Sequence, residues 1–184
     1  MLKLRDGQKE ALLRRARQSI AAVFDPGVAL EPLDDSVFRE KSGLFVTLTV
    51  ESGLRGCIGF ITGVEPLKEA VVTLAREAAF HDPRFPPLQR KELESVVIEI
   101  SLLSPLTRVT DPDGIRPGYH GLVIRSGVHS GLLLPQVATE NHWDRDQFIA
   151  HTCRKAGLSP EAASRPGTEL FSFTADVFSE KGTG

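Results

Sequence analysis

Leu44-Phe45-Val46-Thr47-Leu48-Thr49-Val50, then Glu51-Ser52-Gly53, then Leu54-Arg55-Gly56-Cys57-Ile58-Gly59-Phe60, is the stretch whose reading decides the fold. Leu44, Val46, Leu48 and Val50 alternate with Phe45, Thr47 and Thr49, the period of a half-buried strand. Ser52-Gly53 turns the chain, and Leu54 to Ile61 returns as a hairpin partner. If that partner is regular, parity sets Leu54, Ile58 and Phe60 on the core face and Arg55 and Cys57 together on the opposite one. A thiol and a guanidinium interleaved with glycines are an unusual content for a plain core strand.

Outward from this hairpin, Gln8 to Phe24 carries Leu12, Ala16, Ile20 and Val23 or Phe24 at helical spacing, with Arg14, Arg15 and Arg17 on the wet side and Asp6-Gly7 as a cap. Leu30 to Ser42 reads as a loop. Glu65 to Phe80 reads as a helix with Pro66 in its first turn and Leu67, Val71, Leu74 and Ala78 as the buried stripe. In His81-Asp82-Pro83-Arg84-Phe85-Pro86-Pro87-Leu88 the prolines exclude regular structure and stiffen the backbone. Ser95 to Leu103 alternates Val96, Ile98, Ile100 and Leu102 against Val97, Glu99 and Ser101, a further strand. Gly121 to Ser126 and Gly131 to Leu134 read as short strands around Gly127-Val128-His129-Ser130. Gln136 to Glu140 is a helical turn, and Asp144-x-x-Gln147 forms a capping box for a helix that Gly157 stops. Glu169 to Phe178 alternates as one last strand. Hairpins mixed with helices do not make a βαβ series, so an α+β fold is expected, with a largely antiparallel sheet and helices packed on it.

The whole chain, 184 residues with 41% apolar and 25% charged residues, supports one domain over residues 1–184. A net charge of −2 supplies no global field for nucleic acid. No apolar run reaches membrane-spanning length, and the N-terminus turns charged at once without a secretory pattern, so a cytoplasmic location is expected. The 2 cysteines, Cys57 and Cys153, are read as free thiols.

Leu54-Arg55-Gly56-Cys57-Ile58-Gly59 resembles the signature of the AMMECR-type domain family, protein A of the AmmeMemoRadiSam system. The resemblance continues in order through Asp82-Pro83-Arg84-Phe85-Pro86-Pro87-Leu88, His120-Gly121-Leu122-Val123-Ile124 and Ser130-Gly131-Leu132-Leu133-Leu134-Pro135-Gln136-Val137-Ala138. It extends to Trp143-Asp144 and Cys153 to Leu158. The chain departs from the family pattern at Glu161 to Thr168, where Ala162-Ala163-Ser164-Arg165 stands in place of a tryptophan. The resemblance implies one α+β unit with a large and a small subdomain, the cysteine motif bordering a cleft between them. It also implies a pathway shared with Memo-type and radical-SAM proteins.

Two functional readings follow. In the first, a cysteine-dependent enzyme or enzyme subunit uses Cys57 as nucleophile or acid, Arg55 favours the thiolate and His81 is the base. Gly56 and Gly59 clear space for a ligand, and Asp82, Arg84, Gln136 and Glu140 line its site. In the second, the same cleft makes a non-catalytic binding or adaptor module for a small molecule, a peptide or a Memo-type partner. Against these stand plainer roles: Cys57 as a small core hydrophobe, Asp82 as a turn cap paired to Arg84, and Glu140 as a solvent-facing helix residue. His120 and His129 have no compact ligand spacing, so no metal site is assigned, and the residues name no cofactor. Trp143 is read as packing, His151 as surface and Cys153 as core.

Overall fold

The computed structural model describes residues 2–180. The chain divides into two compact units, and each holds a four-stranded antiparallel sheet. The α+β class expected from the pattern is the class observed.

The larger unit is built from Leu2–Leu103 and the stretch from Asp176 onward. Its elements are α1 (Asp6–Phe24), β1 (Leu44–Val50), β2 (Gly53–Phe60), α2 (Leu67–Phe80) and β3 (Val97–Leu103), closed by β8 (Ala175–Ser179). Strand order is β2-β1-β3-β8. The register puts Leu44 beside Leu102, Val46 beside Ile100 and Leu48 beside Ile98, and all six are fully buried. This apolar face packs with Leu12, Ala16 and Ile20 of α1 and Leu67, Val71 and Leu74 of α2. Each such side chain contributes about 1.5–3 kcal/mol by leaving water.

Two details depart from the sequence reading. Helix α1 begins at Asp6, and the Gln8 side chain, not Asp6-Gly7, caps it by accepting the Arg5 N–H at 2.8 Å. Val23 is exposed. In β2 the register shifts between Leu48 and Thr49: Leu48 faces Gly56 and Thr49 faces Leu54, leaving Arg55 as an extra residue. This bulge cancels the parity argument at its far end, so Leu54 is 46% exposed while Ile58 and Phe60 still pack on the core.

The smaller unit spans Ser104–Ala175. It contains β4 (Thr107–Arg108), β5 (Gly121–Ser126), β6 (His129–Leu133), α3 (Pro135–Glu140), α4 (Arg145–Lys155) and β7 (Thr168–Phe173), with strand order β4-β7-β5-β6. Leu122, Ile124, Phe148 and Cys153 centre its core. The capping box at α4 forms as the sequence predicts: Asp144 Oδ1 accepts the Gln147 N–H at 2.8 Å, and Gln147 Oε1 accepts the Asp144 N–H at 3.0 Å. Gly157, at φ +72°, ends the run after α4. The segment where the family tryptophan is missing forms a 3-10 turn over Pro160–Ser164 with Ala162 buried.

The expected single last strand is two. β7 and β8 belong to different sheets and break at Thr174, whose N–H goes to Ser104 Oγ at 2.9 Å and whose C=O accepts the Ser104 N–H at 2.8 Å. Alternation continues through such a break, because both halves remain extended; periodicity registers conformation, not sheet membership.

Gly56 is where the larger unit tolerates least. A Cβ there would lie 2.1 Å from the Ala78 carbonyl oxygen of α2, whereas one at Gly7 meets nothing within 4 Å. Gly56→Ala is therefore expected to destabilise by about 1–3 kcal/mol, and Gly7→Ala to stabilise by a fraction of about 1 kcal/mol; urea unfolding of both variants checks the contrast.

Candidate functional site around Cys57

β2 is an edge strand, and in an antiparallel ladder only alternate residues turn their N–H and C=O toward the neighbour. Cys57 turns both away from β1. Its N–H donates to Asp82 Oδ2 at 2.8 Å and its C=O accepts from Arg84 Nη2 at 3.1 Å. The proline-stiffened loop that follows α2 thus satisfies the sheet edge with side chains where another strand would have used backbone.

Asp82 holds this loop together. It is 3% exposed, and besides the Cys57 amide it accepts from Arg84 N at 3.1 Å, Arg84 Nε at 2.9 Å and Arg84 Nη2 at 2.6 Å. These bonds, the guanidinium first among them, hold its carboxyl well below the usual carboxylate range. Arg84 is in turn raised by Asp82, and its side chain stays about half exposed.

The thiol lies on the sheet face away from the helices. Thr47, its cross-strand partner on β1, donates its hydroxyl to Sγ at 3.3 Å. Glu99, beside Thr47 on β3, also acts on the sulfur. Burial pushes the Cys57 thiol up; Thr47 and Arg84 pull it down, and Asp82 and Glu99 add to the rise.

The two companions expected for Cys57 have other partners. Arg55, the bulge residue, donates Nε and Nη2 to the Glu92 carboxylate at 2.8 and 3.1 Å, and this pair lowers Glu92. The charges that act most on the thiol are those of Arg84, Asp82 and Glu99. His81 is exposed, its Nδ1 3.2 Å from Glu77 one turn back on α2, and no hydrogen bond among the described residues joins it to Cys57. The space left by Gly56 and Gly59 is occupied by the chain itself, by the Ala78 carbonyl in one case and the Phe45 ring in the other. Gln136 and Glu140 stand on α3 of the smaller unit; Glu140 is exposed, and Gln136 Oε1 is buried without a hydrogen-bond partner among the described residues.

Thr47 and Glu92 are what sequence reasoning missed. Thr47 stands opposite Cys57 only because of the bulge at Arg55, whereas a regular hairpin from the Ser52-Gly53 turn would set Leu48 there. Glu92 lies in a 3-10 turn, Arg90–Glu92, with no spacing relation to Arg55. In the smaller unit, Trp143 stacks flat on the His151 ring at 3.8 Å, so His151 is half-buried and not a plain surface residue. His120 Nδ1 accepts the Arg116 N–H at 3.1 Å, and burial lowers its basicity. Among the described residues no group of His, Cys, Asp and Glu is placed to hold a metal ion, and no helix is long and apolar enough to cross a membrane.

An edge-strand cysteine clipped by a buried aspartate and its half-exposed arginine partner, in an α+β protein of two four-stranded sheets, is the arrangement that characterises this chain. The AMMECR1 family model matches residues 13–178, and the chain belongs to that family. It is similar to Protein PH0010 of Pyrococcus horikoshii, 40% identical over 98% of this chain and 94% of that protein. A protein of Methanothermobacter thermautotrophicus is 42% identical over 93% of each chain. The crystal structure of uncharacterized protein PH0010 superposes with a TM-score of 0.91, covering 97% of this chain and 94% of that one at 39% identity.

Asp82 carries the acid sensitivity of the site. Its carboxyl is depressed in the folded state, so its stabilisation is complete above the unfolded value, near pH 4, and is lost as pH falls from there toward the folded value. Chemical denaturation at a series of pH values is expected to show this decline in the parent chain. In Asp82→Ala the decline is reduced, and stability at neutral pH is lower by about 1–3 kcal/mol, the cost of stranded buried donors.

Proposed function

We propose that this chain is a binding protein whose recognition surface is centred on Cys57, with the protonated thiol, the Thr47 hydroxyl and the exposed side of Arg84 contacting a small molecule, a peptide or a partner protein. The Memo-type and radical-SAM proteins implied by the family resemblance are the partners to test. One arrangement carries this reading: burial pushes the Cys57 thiol up, and the histidine that would deprotonate it is exposed beside Glu77. A ligand that meets a fixed, uncharged thiol is recognised by shape and hydrogen bonding.

A second reading, a cysteine-dependent enzyme, draws on a different observation. Thr47 donates to Sγ and the charge of Arg84 reaches it, so a thiolate formed by a substrate-borne base would find a hydroxyl and a cation beside it.

Calorimetric titration of the full chain with the Memo-type and radical-SAM proteins of the same organism separates the readings. Binding is expected to survive Cys57→Ser and to weaken by about tenfold or more in Arg84→Glu. Absence of binding to either protein at high micromolar concentration counts against the binding reading and removes these two partners from it. Alkylation of Cys57 against pH is expected to give a midpoint above that of an ordinary thiol; a midpoint below it reverses the order of the two readings.

A further inference from the structure

We propose that Asp82 is the positioning residue of the Cys57 centre: by taking two donors of Arg84 it divides that guanidinium between its own carboxylate, the Cys57 carbonyl and the sulfur, and so sets how much of the cation the sulfur meets. The proposal rests on the reading of the Cys57 surface as the functional site. It assigns Asp82 and Arg84 a task beyond tying down a sheet edge.

The geometry is that of one cation shared among three acceptors. Arg84 Nε and Nη2 reach the Asp82 carboxylate at 2.9 and 2.6 Å, Nη2 also reaches the Cys57 carbonyl at 3.1 Å, and the Cys57 side chain lies within the reach of the same group. The groups facing the sulfur are Thr47 from β1, Glu99 from β3, and Asp82 and Arg84 from the loop after α2. Arg55 on β2 and His81 beyond α2 are engaged by Glu92 and Glu77. Two of the facing groups are therefore carboxylates and one is a cation already bound to a carboxylate. Removing the Asp82 charge subtracts a repulsion and releases an attraction at once; removing Arg84 subtracts the attraction itself.

A purely structural clip makes a different prediction. If Asp82 and Arg84 only anchored the loop, breaking the clip from either side would loosen it, expose the sulfur to water and move its titration in the same direction. The proposal requires opposite directions.

The test is iodoacetamide alkylation of the intact chain against pH, with Cys57 and Cys153 resolved by peptide mass spectrometry. Asp82→Asn is expected to raise the Cys57 rate at pH 7.5 by about threefold or more, and Arg84→Gln to lower it by a similar factor, the effect of one nearby charge on an ionisable group. Circular dichroism and thermal melting establish that each variant is folded. Shifts of the same sign, or an unmoved profile in either folded variant, overturn the proposal. Should Asp82→Asn not fold, Arg84→Gln alone decides it, because a raised or unchanged rate there is incompatible with Arg84 acting on the sulfur. Alkylation needs no ligand and partner titration needs no ionisation, so failure of this proposal and failure of the binding reading are separate results.

Discussion

A carboxylate buried against the edge of a sheet is the constraint on which the Cys57 region depends. An edge strand leaves every second N–H and C=O without a partner, and burying them unpaired is costly. Asp82 and Arg84 supply the missing pair to Cys57. They do so from a loop whose prolines cannot themselves become a strand, so the edge is closed without being extended. The loop is in turn returned to α2, where the Leu88 N–H donates to the Ala79 carbonyl at 2.8 Å. Strand, helix and loop form one fixture, and at Gly56 the Ala78 carbonyl of the helix leaves no room for a Cβ on the strand.

Charge in the larger unit is handled by the same device elsewhere. Arg55 is neutralised by Glu92 across the bulge, and Arg17 of α1 donates to Glu180 as well as to the Leu93 and Val96 carbonyls at 2.8 and 2.6 Å. In each case a guanidinium, with its fork of donors, bridges elements far apart in sequence. The arginines of α1 that a sequence reading assigns to solvent are in part these bridges. For Cys57 the consequence is that the cation nearest in sequence is spent on its own partner, while the one that acts on the sulfur comes from another segment of the chain.

The strands β1 and β3, the stripe of α2 and the capping box of α4 were legible in the sequence because each rests on contacts within a few residues or on a regular period. The bulge at Arg55 was not, since an extra residue leaves the alternation of its neighbours intact on either side. Nor was the break at Thr174, where the chain stays extended while changing sheets. Of the candidate site, Cys57, Asp82 and Arg84 were named from their motifs and do meet in space. Thr47 was not legible, because the bulge at Arg55 is what brings it opposite Cys57. Glu92 and the role of Glu99 were not, because they depend on which distant segments fold against the hairpin.

The sequence by itself determined the α+β class, the hairpin, the motif set that marks the AMMECR1 family and the residues around which a site would form. Only the tertiary structure decided what those residues do to one another: Arg55 turns to Glu92, His81 to Glu77, and Asp82 and Arg84 take the backbone of Cys57. The reason is physical. Periodicity and capping are local, whereas the acidity of a thiol is set by desolvation and by charges a few ångströms away, whatever their distance along the chain.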